Sequence, residues 1–291
     1  MSGWRRALVV GAISLSFIIV FLGLVLSHSI TTNPGADRPE QCELLATTTD
    51  AHASILETQN TWSNFGYLIA GALIIFRSRN LLGAAVGLNL ALEFLFSGLY
   101  HSKLTEMLQT IDVAWIYVLL LGLIAYAIQC LLFSQWAMQS GYLSLNAPLF
   151  VAAGIAIVTV VVGVFMGIHK NDIFESTTTT FVLVGLLFIL LLIGFIAAGI
   201  RGADAMSIIM PIALIIAIGV PVLFFKFSDG PKHHIFNWCC PKAVMQAHAA
   251  WHMLSAVLLL VAYDFFANFC GDGRIFSFAR PAQEFPTIVE D

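Results

Sequence analysis

Eight runs of about twenty mostly apolar residues, at 7–27, 58–76, 81–101, 111–133, 147–168, 181–200, 207–225 and 244–267, decide what this chain can fold into. Each is long enough to cross roughly 30 Å of hydrocarbon as an α-helix, the structure that satisfies every backbone polar group within one segment. Composition agrees, with 59% of residues hydrophobic and only 10% charged. The connections are short apart from 28–57, 226–242 and the tail after 269, so no soluble domain fits between spans. The expected fold is an all-α membrane protein built as one helical bundle.

The first run follows Trp4-Arg5-Arg6 and ends near "VLS", which resembles a secretory signal. Its apolar core is longer than a typical signal's, so residues 1–28 are read as an uncleaved signal-anchor helix. Basic residues elsewhere are nearly balanced between the two faces, and the Arg pair at the first span favours a cytosolic N-terminus. Residues 29–57 then form an exoplasmic polar segment, 58–268 a seven-helix domain and 269–291 a cytosolic tail. A net charge of −4 without a basic stripe excludes a nucleic-acid partner. Cys42, Cys239 and Cys240 fall in loops of one parity, where a disulfide from Cys42 to one of the pair and free or palmitoylated thiols are both open readings. Cys130 and Cys270 read as ordinary helix and tail thiols.

The last run opens with "QAHAAWH", residues 246–252. His248 and His252 are four apart and project from one helical face, a spacing that suits a metal ion and suits an interhelical hydrogen bond or polar seam as well. Parity narrows the choice. The segments 28–57, 102–110, 169–180 and 226–243 emerge on one face whichever way the chain points, which brings "FSGLYH" (96–101), "TIDVAW" (110–115) and "AHAAWH" (247–252) together. Ser97, His101, Asp112, His248 and His252 are expected in one layer, and polar groups at membrane depth point to function. His101, His248 and His252 match the three-imidazole ligand count of a hydrolytic zinc site. Ser97, one turn before His101, suits an oxyanion donor or a small packing residue. Asp112, expected at the start of its helix, suits a proton carrier or an N-terminal cap.

S-x3-H, an Asp eleven residues later and a late H-x3-H together resemble the CREST superfamily of membrane hydrolases. Within it, "ETQNTWSN" (57–64) is similar to the E-x2-N-T-x-S-N stretch of alkaline ceramidases, and "QAHAAWH" to their Q-x-H-A-x-W-H. The resemblance covers roughly residues 40–265. It implies a seven-transmembrane-helix bundle of CREST type, here preceded by one additional N-terminal helix, with zinc on His101, His248 and His252 and catalytic positions at Ser97 and Asp112. The implied activity is hydrolysis of the N-acyl bond of ceramide or a related sphingolipid. Same-fold and different-class alternatives are a lipid ester hydrolase acting on phospholipid or GPI-anchor lipid, and a receptor resembling the adiponectin and progestin receptors. An endomembrane, plasma-membrane or bacterial inner-membrane location follows, with the metal site toward the exoplasmic face.

Two features depart from the family pattern. Its calcium-binding D-W-x-E-x-N segment is here "EQCELL" (40–45), so Glu40, Glu43 and Glu57 are the carboxylates left for Ca2+, fewer than its usual six to eight oxygens. The Asp-Glu pair common in ceramidases is here Asp112-Val113. Glu93, four residues before Ser97 and eight before His101, lies outside the pattern, about 12 Å deeper than His101 by helix rise. It is expected in a structural role, hydrogen-bonded to Asn60, Asn64 or Asn89. His28, His52, His169, His233 and His234 lack paired spacing and read as surface residues.

Overall fold

The structure, a computed structural model, describes residues 3–26, 55–132, 147–200, 205–228, 246–270, 272 and 275. Those residues form helices and no strands: α1 (Gly3–Leu26), α2 (Thr58–Ser63), α3 (Phe65–Arg77), α4 (Leu81–Lys103), α5 (Glu106–Leu132), α6 (Ala147–Ile168), α7 (Ser176–Ile200), α8 (Ala205–Ser228) and α9 (Ala247–Cys270). Seven of them, α1 and α4 to α9, are long and apolar enough to cross a membrane. The protein is an all-α membrane bundle. Glu40, Glu43, Cys42, Cys239 and Cys240 lie outside the described residues.

The remaining expected span, 58–76, is divided into α2 and α3 at Asn64. Asn64 keeps helical dihedrals (φ −62°, ψ −18°), but Tyr67 N–H bonds to the Asn64 carbonyl three residues back at 2.9 Å. The Asn64 amide is held on the Asn60 carbonyl at 2.7 Å. This tightening sets α2, the polar part of the span, against both α4 and α9.

Burial is uneven, and its distribution marks the centre of the bundle. More than half of the spanning stretch of α4, α5 and α9 is buried, against about a quarter or less for α1, α6, α7 and α8. The outer helices carry exposed Leu, Ile, Val and Phe all along their length, the surface that lipid solvates. Close approach is achieved by small residues, as packing in lipid requires. A Cβ on Gly71 of α3 would stand 2.5 Å from the Gly87 carbonyl of α4, and one on Gly167 of α6 would stand 2.3 Å from the Ala114 Cβ of α5. Helix α8 lies along α9 and only grazes α7.

The turn between α4 and α5 is two residues long, so the expected loop 102–110 is mostly helix. Leu104 makes that turn in the left-handed region (φ 53°, ψ 38°), its N–H closing on the Tyr100 carbonyl at 2.7 Å. A non-glycine residue there costs about 1–2 kcal/mol. The consequence is positional, because the end of α4 and the start of α5 are held side by side.

At the opposite pole Asp272 joins three elements. Its Oδ2 accepts from Ser78 Oγ at 2.9 Å and from the hydroxyls of Tyr126 and Tyr263 at 3.0 Å each, and its Oδ1 accepts from the Arg79 N–H. The start of the expected tail is therefore tied to the α3–α4 turn, α5 and α9. Cys130, expected as an ordinary thiol, is disulfide-bonded. It is fully buried in the last turn of α5, and its partner lies outside the described side chains.

Candidate metal centre

His101 reaches the centre from the last turn of α4, and His248 and His252 from the first two turns of α9. One ligand atom from each of the three lies within 4.8 Å of the others. The rings stand 5.0 Å (His101 to His248), 5.0 Å (His101 to His252) and 4.5 Å (His248 to His252) apart between centroids. All three are buried, at 1%, 7% and 1% exposure. Three imidazoles whose nitrogens converge away from water are placed to hold one metal ion, and the all-nitrogen donor set suits a borderline transition metal rather than Ca2+ or Mg2+.

The outward nitrogens of two of these rings are already engaged. His101 Nδ1 lies 2.6 Å from Glu57 Oε2. His252 Nδ1 lies 2.9 Å from Ser63 Oγ. Ser63 has a single hydroxyl proton and directs it to the Asn60 carbonyl at 2.9 Å, so its oxygen accepts the Nδ1–H of His252. In both rings Nε2 is left with its lone pair as the ligand atom, the arrangement that orienting partners of metal-bound histidines enforce. Burial opposes ionisation of Glu57, but the His101 hydrogen bond and the neighbouring His101 and His248 charges outweigh it, and the carboxyl stays below the usual carboxylate range.

The stretch 56–64 is the frame of this centre. Leu56 N–H and Glu57 N–H bond to the Ser102 and His101 carbonyls at 3.0 and 3.1 Å, satisfying acceptors at the end of α4. Gln59 Oε1 accepts from Gln246 N at 3.0 Å, fixing the entry to α9 just before His248. Asn60 Nδ2 donates to Glu57 Oε2 at 3.2 Å, and Thr61 Oγ1 to the Glu57 carbonyl at 2.6 Å. Of these residues, sequence reasoning singled out Glu57 for calcium. Its Oε2 is instead turned to His101 and Asn60, and with Glu40 and Glu43 outside the described residues no calcium ligand set is assembled among those described. Ser63 and Gln59 were missed as supports, and the polar run "ETQNTWSN" before an apolar one was their visible signal.

Ser97 and Asp112 are both buried, at 2% and 7% exposure. Asp112 is not at its helix start as expected. It is the seventh residue of α5, which begins at Glu106, so it is no N-terminal cap. Ser97 lies seven residues before Leu104 and Asp112 seven after Thr105, each about 10 Å below the turn, whereas His101 lies about 4.5 Å below it. The single layer expected from parity is thus two layers, with Ser97 and Asp112 one turn beneath His101. Glu93 belongs to the deeper part. It is buried at 2% exposure on the helix that packs against α3 and α5, which carry Tyr67 and Asp112. The expected asparagine partners are engaged elsewhere or absent from its hydrogen bonds: Asn60 bonds to Glu57 and Asn64 to Asn60. His169 packs against Phe165, ring centroids 4.7 Å apart, and is not among the clustered residues.

Comparison with protein-family models and with curated proteins finds no match to this chain.

Proposed function

We propose that the protein is a zinc-dependent intramembrane amidase that hydrolyses the N-acyl bond of ceramide or a related sphingolipid to a sphingoid base and a fatty acid. The observation that carries the reading is the convergence of His101, His248 and His252, 2.6 and 2.9 Å from Glu57 and Ser63 at two of their outer nitrogens, inside a membrane bundle. Three converging imidazoles would leave a fourth position open on a bound ion, the composition of a hydrolytic rather than a structural zinc site. The quoted resemblance to alkaline ceramidases supplies the substrate class.

Bound zinc supplies Lewis acidity toward a carbonyl oxygen and toward water. The chain's own groups divide the remaining work. Asp112 takes a proton from the attacking water as the C–O bond forms, and returns it to the amide nitrogen as the C–N bond breaks. Ser97 Oγ donates a hydrogen bond to the carbonyl oxygen as negative charge develops there. Glu57 and Ser63 hold the imidazoles in one tautomer. Burial of the centre keeps bulk water out, and an exposed apolar belt lets both lipid chains stay in hydrocarbon. The metal layer is assigned to the exoplasmic face.

Purified protein reconstituted with zinc and N-acylsphingosine should release free sphingoid base and fatty acid in equal amounts. Lysophospholipid from phospholipid, with ceramide untouched, replaces the amidase by an ester hydrolase. Inertness toward both classes at full zinc occupancy overturns the hydrolytic reading.

A further inference from the structure

Glu93 has no part in the chemistry above, yet it occupies the floor of the same site. It lies one helical turn beneath Ser97 and two beneath His101 on one face of α4, at 2% exposure. Helix α4 packs on α3 and α5, the helices that carry Tyr67 and Asp112. Tyr67 in turn stands 6.0 Å from the His252 ring, between centroids. The carboxyl therefore lies buried on the helix that packs between α3 and α5, two turns below the His101 level.

The hydrogen-bond inventory at that floor is short by one donor. Glu93 Oε2 is buried and has no hydrogen-bond partner among the described residues. Tyr67 has no proton to spare for it. Ser255 Oγ donates to the His252 carbonyl at 3.0 Å, so at the 2.6 Å contact between Tyr67 OH and Ser255 Oγ the tyrosine is the donor. Asp112 is a carboxyl like Glu93. The large majority of buried acceptors are paired, and none of the described residues donates to this one.

We propose that Glu93 is a specificity-determining residue whose carboxyl accepts a hydrogen bond from a hydroxyl or amine carried by the substrate close to the scissile carbonyl. This deepens the amidase reading and rests on it. An N-acyl sphingoid base, with hydroxyls within two carbons of the amide nitrogen, offers such a donor at the polar end of two apolar chains. A plain N-acyl alkylamine offers none, and would leave Oε2 buried and unpaired. Sites built to bond a substrate hydroxyl reject the analogue lacking it for that reason.

The test uses the full-length zinc-loaded protein and a matched pair of substrates, N-acylsphingosine and an N-acyl alkylamine of equal chain lengths. Wild type should favour the hydroxylated member. Glu93→Leu should lower kcat/KM on it about ten- to a hundredfold, the cost of leaving a buried hydrogen-bonding group unpaired, while changing the plain amide less than about threefold. Glu93→Gln keeps a carbonyl acceptor and should fall between wild type and Glu93→Leu. Equal losses on both substrates, or no loss on the hydroxylated one, overturn the assignment while leaving the amidase reading intact. Wild type inert on both substrates removes the amidase reading and this assignment with it. Should the variants fail to fold, wild type alone decides: sphingosine should raise Tm saturably and an alkylamine of equal length should not, and equal shifts overturn the proposal.

Discussion

Glu57 Oε2 lies 2.6 Å from His101 Nδ1, joining the entrance of α2 to the last turn of α4 across 44 residues of chain. The contact gives Glu57 a role that needs no calcium, because it sets the His101 tautomer and turns Nε2 toward the other two imidazoles. Glu57→Ala should therefore weaken metal affinity about 10- to 100-fold, the usual cost of losing an orienting partner. Glu57→Gln, which retains an acceptor oxygen, should lose less. Calcium should leave Tm and turnover unchanged in wild type. A saturable calcium response that Glu57→Ala abolishes is the opposite outcome, and returns Glu57 to a calcium site.

The metal itself is testable without a substrate. Metal analysis of purified protein should find about one zinc per chain, and His248→Ala or His252→Ala should remove it. Full occupancy in both variants is incompatible with a centre built on these rings. Ser63→Ala leaves His252 in place but removes the acceptor of its Nδ1–H, so it should reduce affinity while retaining some metal.

Ser97 and Asp112 lie about one turn below His101 by helix rise and outside the three-imidazole set. Ser97→Ala and Asp112→Asn should keep zinc at wild-type occupancy and lose about a hundredfold or more in kcat. Unchanged turnover in Asp112→Asn would remove it as proton carrier.

How much of this was legible beforehand depends on what reported each feature. Seven of the eight spans were, because hydrocarbon thickness dictates their length, and the three histidines were, because parity alone brings the end of α4 to the start of α9. The depth of Asp112 was not. Residues 106–110, "EMLQT", are polar enough to be trimmed from a hydropathy window, yet they are helical, and their omission placed Asp112 a turn and a half too shallow. The break at Asn64 and the support from Ser63 depend on side chains bonding across 3 to 189 residues of separation, which no local periodicity records. Asp272 was likewise lost in a polar tail, since two of its three hydroxyl partners, Ser78 and Tyr126, come from distant segments.

Helix α1 belongs to the bundle. Phe21 is fully buried, packing on Phe94 at 5.0 Å and Trp62 at 6.1 Å between ring centroids, and a Cβ on Gly98 would stand 2.9 Å from its ring. Lys103 Nζ donates to the Val25 carbonyl at 2.8 Å, satisfying an acceptor in the last turn of α1 from the residue two after His101. Mature protein should therefore retain α1, and intact mass spectrometry showing a chain that starts near residue 29 contradicts this. Gly98→Leu should drive a side chain into Phe21 and destabilise the bundle by about 1–3 kcal/mol, read as a lowered Tm.

Orientation is the last expectation, and two features bear on it from opposite sides. Arg5 and Arg6 precede the first span, which favours a cytosolic N-terminus. One crossing by α1 then puts 28–57 and the metal layer on the exoplasmic face. Cys130 lies near the end of α5, two residues before its last residue Leu132, and so toward the other face. Its disulfide is a bond that oxidising compartments form and cytosolic thiols reduce. Complete burial at Cys130 reconciles the two at that sulfur, because exchange requires a thiolate to reach the sulfur it attacks. A glycosylation tag placed in 28–57 should accordingly be modified in a eukaryotic host, and one placed after Asp291 should not. The bond should also resist glutathione in the folded protein and become reducible on denaturation. The reverse glycosylation pattern moves the metal layer to the cytosolic side, and rapid reduction in the folded state removes the argument that burial protects the bond.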